Sequence, residues 1–97
     1  MGDNERIPQE VLDAATLRLC RKFALCILSG MTETGATFEE LDAVIGVKRG
    51  HTRRYFYSLV NGTTHDMDTL AHVAYAMGYE IEITAQHVPQ LPKAVVP

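Results

Sequence analysis

No stretch of this chain is apolar for long enough to cross a bilayer: the longest such run, Phe23 to Leu28, falls far short of the roughly 20 residues required. Residues 1–10, MGDNERIPQE, are polar and acidic and lack the apolar centre of a secretory leader, so the protein is expected to be cytoplasmic, with no membrane partner. Cysteine is scarce. Cys20 and Cys26 fall on different faces of a predicted helix, roughly 240° apart at about 100° per residue, and are read as small core hydrophobes and not as a disulfide. There is no surplus of positive charge either: 9 Lys and Arg against 12 Asp and Glu give a net charge of −3. That excludes a global basic field, so any attraction to nucleic acid must be local. His51, His65, His72 and His87 show no ligand spacing with one another or with cysteine, so neither a metal nor a cofactor is expected. Asp66 and Asp68 are explained as a helix cap and a dipole partner. Nothing else assembles a nucleophile, a base and an oxyanion site, and the chain reads as a non-enzyme.

The 97 residues, 46% of them hydrophobic and without internal repeats, make one small globular domain of the size that often gains stability by self-association. Its organising stretch is residues 38–62, FEELDAVIGVKRGHTRRYFYSLVNG. Thr37 and Glu40 have the spacing of a capping box, and Leu41, Val44 and Ile45 share one face of a helix from Phe38 to Ile45 that Gly46 stops. A second helix is predicted from about Thr52 to Val60, ended by Asn61-Gly62. Between them, Lys48, Arg49, Arg53 and Arg54 are four of the nine cations, gathered in seven residues with His51 among them and no acid. A solvated face would mix signs. One-sign clustering at a helix start in an acidic protein is what phosphate binding followed by base reading requires, and the segment is read as a helix-turn-helix.

In chain order, residues 1–9 are expected to be a flexible arm and residues 10–84 the folded domain, followed by an extended tail over 85–97 that contains Pro89, Pro92 and Pro97. A first helix is predicted from about Gln9 to Ser29, with Leu12, Thr16, Leu19, Phe23, Ile27 and Met31 as its stripe. Gly30 is expected to end it, and residues 32–36 to form a loop. Asp66 should cap a last helix from Met67 to Met77, with Met67, Leu70, Val73, Ala74 and Met77 inward and Gly78 as its stop. Tyr79 to Thr84 alternates, with Tyr79, Ile81 and Ile83 on one side, as a half-buried strand does. A lone strand lacks a partner, so those three residues are expected to pair across a two-fold axis in a homodimer.

Residues 37–83 resemble the helix-turn-helix domain of lambda-repressor-like (XRE, Cro-type) transcriptional regulators and of the antitoxins that share it. The matching elements are Phe38-Glu39-Glu40-Leu41, Ile45-Gly46-Val47, Asn61-Gly62, Asp68-Thr69-Leu70, Ala74 and Ala76-Met77-Gly78-Tyr79-Glu80. The resemblance implies an all-α domain of four to five helices, here with a short C-terminal β-strand. Two departures stand out: Asp42 occupies a position usually held by a small residue, and about four residues are surplus before Asn61-Gly62. The surplus is assigned to Lys48–His51, as an enlarged basic turn, because anchoring on Asn61-Gly62 buries the better residues, with Phe56, Leu59 and Val60 on the inner face. Anchoring on Gly46 instead would ask Thr52 and Tyr55 to fill the core.

By that resemblance the second helix would enter the major groove of double-stranded DNA. Thr52, Arg53, Arg54, Tyr57 and Ser58 would lie nearest base edges, while Lys48, Arg49 and His51 track phosphates. The leading expectation is a repressor that binds an inverted repeat as a homodimer. One alternative is an antitoxin that also binds a toxin and represses its own operon. Another is a protein-interaction module that keeps the fold without binding DNA.

Overall fold

The computed structural model describes residues 6–64 and 66–88. Most of the arm, His65, and the tail with Pro89, Pro92 and Pro97 lie outside the described residues. The fold is all-helical: α1 (Gln9–Thr34), α2 (Phe38–Ile45), α3 (His51–Val60) and α4 (Met67–Ala76). One core joins them, with Phe23 and Ile27 from α1, Leu41 from α2, Tyr55 and Leu59 from α3, and Leu70 and Val73 from α4. Ile27 and Val73 are almost wholly shielded. Burial of an aliphatic side chain of that size contributes about 1.5–3 kcal/mol.

Helix α1 continues past the expected stop at Gly30 and takes in most of the predicted loop. Gly30 is buried on the inner face, where a Cβ would lie 2.8 Å from Met77 Cε and 3.4 Å from the Tyr79 ring. The glycine therefore serves close packing rather than termination. The hydroxyls of Thr32 and Thr34 donate to the carbonyls four residues back, Leu28 O at 2.9 Å and Gly30 O at 2.8 Å, so both find their acceptors within the helix. The stop is Gly35, in the left-handed region with its N–H on Met31 O. The buried stripe is Cys20, Phe23, Ala24, Ile27 and Gly30, displaced from the expected one, and Leu12 and Leu19 are exposed. Residues 9–16 are all exposed, so spacing in that first third of the helix carries no information about the core. Cys26 is exposed as well, and both cysteines are free thiols.

Helix α2 has the expected bounds, and both arms of its capping box form: Thr37 N–H donates to Glu40 Oε1 at 2.9 Å and Glu40 N–H to Thr37 Oγ1 at 3.1 Å. Leu41 and Ile45 turn inward, but Val44 is 71% exposed. Asp66 caps α4 through Thr69 N–H at 3.1 Å, and Leu70, Val73 and Ala74 are buried there while Met67 is exposed. Beyond α4, Gly78 N–H reaches Tyr75 O and Tyr79 N–H reaches Ala74 O, and the chain then leaves regular structure. Among the described residues there is no β-strand; Ile81 rests against the core, whereas Tyr79 and Ile83 are exposed.

Candidate nucleic-acid interface

The site is built from the end of α2, the turn and the start of α3. Gly46 and Gly50 both occupy the left-handed region, with φ of 86° and 90°, and bracket Val47-Lys48-Arg49. A side chain at Gly50 would be strained there and would also meet Arg54 Nη1, 3.2 Å from its Cβ. Helix α3 begins at His51 behind a glycine that offers no capping side chain. The cap comes instead from Asp42, one turn before the end of α2 and only 3% exposed: Oδ2 accepts Gly50 N–H at 2.8 Å and Oδ1 accepts Thr52 N–H at 2.9 Å. Burial works against ionisation of this carboxyl, but the Thr52 side chain and the two amides outweigh it and hold its pKa below the ordinary aspartate value. A negative charge thus sits at the positive end of the α3 dipole. Asp42 and the Gly46–Thr52 turn, whose two amides it binds, form one device.

That device sets the register of α3. Thr52, expected among the base readers, is fully buried beside the carboxylate that binds its amide, and its hydroxyl has no well-aligned hydrogen-bond partner. Tyr55 and Leu59 follow it into the core, while Phe56 and Val60 are only partly buried. This is the register anchored on Gly46, not the one that favoured Phe56. The Tyr55 hydroxyl donates to Asp66 O at 2.6 Å, and burial together with the Asp66 charge pushes its pKa up to about 12.

The remaining candidates share one surface. Lys48, Arg49, Arg53, Arg54 and Tyr57 are exposed, and His51 and Ser58 are half-buried. The turn and the outer face of α3 bring them together, with Arg49 beside Gly50 in sequence and the Arg54 guanidinium close to it in space. Arg53 differs from its neighbours: Nη2 contacts Glu39 Oε2 at 3.0 Å, and its guanidinium lies 4.9 Å from the centre of the Phe38 ring. Phe38 stacks at a tilt on Phe56, which meets Tyr57 edge-on, so rings extend from the start of α2 along α3. The Arg53 hydrogen bond, followed by the residue's own backbone amide, holds the Glu39 pKa below its ordinary value.

Sequence reasoning missed Phe38, Glu39 and Asp42 as parts of this surface, together with Arg21, whose Nε donates to Val60 O at the end of α3 at 3.0 Å. The acid that appeared to be missing from the basic cluster lies 14 residues away on another helix.

No family model, no curated protein and no solved structure matches the chain. Among the described residues, no helix is long and apolar enough to cross a membrane, and no group of three or more His, Cys, Asp or Glu could hold a metal ion.

Proposed function

We propose that the chain is a sequence-specific DNA-binding transcriptional regulator with a lambda-repressor-like helix-turn-helix, acting in the cytoplasm as a repressor. The carrying observation is the set of exposed cations Lys48 and Arg49, on a turn pinned from below by Asp42, and Arg54, in the first turn of α3. Exposed cations carried on a pinned backbone at a helix start are suited to position a duplex through its phosphates while the helix reads bases. The readers in this account are Arg53, Arg54, Tyr57 and Ser58; Lys48, Arg49 and His51 contact phosphates. Thr52 is withdrawn from the readers because it is buried.

A homodimer is part of the proposal. Tyr79, Ile81 and Ile83 lie on a segment that follows α4 and borders an apolar groove shared with Val44, Met67 and Tyr75. The same segment of a second copy would pair with it as a strand, giving the symmetry that an inverted repeat demands. The groove also favours a second reading, in which a toxin or another protein docks there, with or without DNA binding. Titration of the protein into labelled duplexes at several salt concentrations tests the DNA reading. Affinity that falls linearly on a log–log salt plot supports it, and no binding at about 50 mM salt refutes it.

A further inference from the structure

Glu39 and Arg53 join the two helices that flank the turn, and their environment distinguishes Arg53 from the other cations. The pair is at the surface, with side chains 43% and 51% exposed, so it contributes little to the core. Its geometry is nevertheless defined by two contacts of Arg53: the Glu39 carboxylate at 3.0 Å and the Phe38 ring, whose centre lies 4.9 Å from the guanidinium. No carboxylate pairs with Lys48, Arg49 or Arg54 among the described residues.

We propose that Glu39 is a specificity-determining residue: it withholds Arg53 from DNA phosphates, so that Arg53 engages only a base edge matching the geometry in which the pair presents it. The inference rests on the DNA-binding reading above. A guanidinium has five N–H donors, and an exposed one that gives a single bond to Glu39 keeps others for an acceptor beyond it. A phosphate approaching that position meets the Glu39 charge. A base edge carries no such charge, and a carboxylate can itself accept from a cytosine amino group. The neutralised pair releases no counterion on a random duplex, whereas a bare cation releases about 0.9 per phosphate met.

The test compares wild type, Glu39→Gln and Glu40→Gln on a duplex of scrambled sequence across salt. Glu40 lies on the same turn of α2 but bonds to Thr37, so its substitution changes net charge without releasing a cation. Glu39→Gln should steepen the salt slope by about 0.9, losing about three- to four-fold more affinity than wild type between about 50 and 200 mM. It should also narrow the ratio of affinities for a selected over a scrambled site, while Glu40→Gln does neither. An unchanged slope in Glu39→Gln overturns the proposal, and so does an equal steepening by both variants, which would be net charge alone. Absence of duplex binding by all three proteins at about 50 mM salt defeats the DNA reading itself and the proposal with it.

Discussion

The Asp42 carboxylate lies beneath the α2–α3 turn and receives the amides of Gly50 and Thr52, 2.8 and 2.9 Å away, so a side chain of one helix caps the next. Asp42→Ala leaves both amides without that acceptor and should destabilise the fold by about 2–3 kcal/mol, measured by urea denaturation. Asp42→Asn keeps one acceptor oxygen and should cost less. Equal costs would mean the carboxylate does not bridge the two amides.

The same group gives a pH signature. Its folded-state pKa lies below the unfolded value, near ~3.9, so on acidification the unfolded chain takes up the proton first. The stability Asp42 adds is complete above about pH 4 and is lost as the pH falls through the folded-state value. The gap in unfolding free energy between wild type and Asp42→Ala should therefore be flat near neutrality and shrink in acid. A gap that persists at the lowest pH at which both proteins fold would contradict the account.

Tyr55 and Phe56 provide a test of helix register. Tyr55 is buried and its hydroxyl is bonded to Asp66 O, so Tyr55→Ala should cost about 3–5 kcal/mol and Tyr55→Phe about 1 kcal/mol. Phe56 is only partly buried, and Phe56→Ala should cost clearly less than Tyr55→Ala by the same denaturation measurement. The opposite order would rotate α3 and restore Thr52 to the surface.

Those residues show where sequence legibility ends. Helix α2 was readable because Thr37, Glu40 and Gly46 are local signals acting within nine residues of one another, as was the Asp66 cap of α4. The register of α3 was not, because hydrophobicity favours Phe56 over Thr52 and what reverses the choice is a bond to Asp42, ten residues earlier. Gly30 misled for a similar reason: a glycine that stops a helix and one that admits Met77 look identical until α4 is in place. The Lys48, Arg49, Arg53 and Arg54 cluster was legible as charge, but the Glu39 partner of Arg53 became visible only once α2 and α3 were adjacent.

Gly62 follows α3 at φ 69°, and a Cβ there would lie 2.9 Å from Leu17 Cδ1. Gly62→Ala combines left-handed strain with that contact and should cost about 1–2 kcal/mol, read from the shift in the denaturation midpoint. No shift would mean that the approach of α1 to this turn is looser than described.

Dimerisation through the segment after α4 is tested by Ile81→Pro, which removes a backbone donor needed for strand pairing. Wild type should sediment as a dimer at micromolar concentration and the variant as a monomer with weakened DNA binding. A wild-type monomer, or a variant that remains dimeric, would move the interface elsewhere.

Selection of duplexes from a random pool by the purified protein, followed by titration on the recovered site and a scrambled one, tests the DNA-binding claim most directly. The expected result is enrichment of an inverted repeat, a loss of about 1–3 kcal/mol on that site for Arg54→Ala with relaxed base preference, and for Lys48→Ala a uniform loss on both duplexes with a salt slope shallower by about 0.9. A pool that emerges unenriched, or an Arg54→Ala protein that loses equally on both duplexes, would contradict the assignment of α3 as the reading helix.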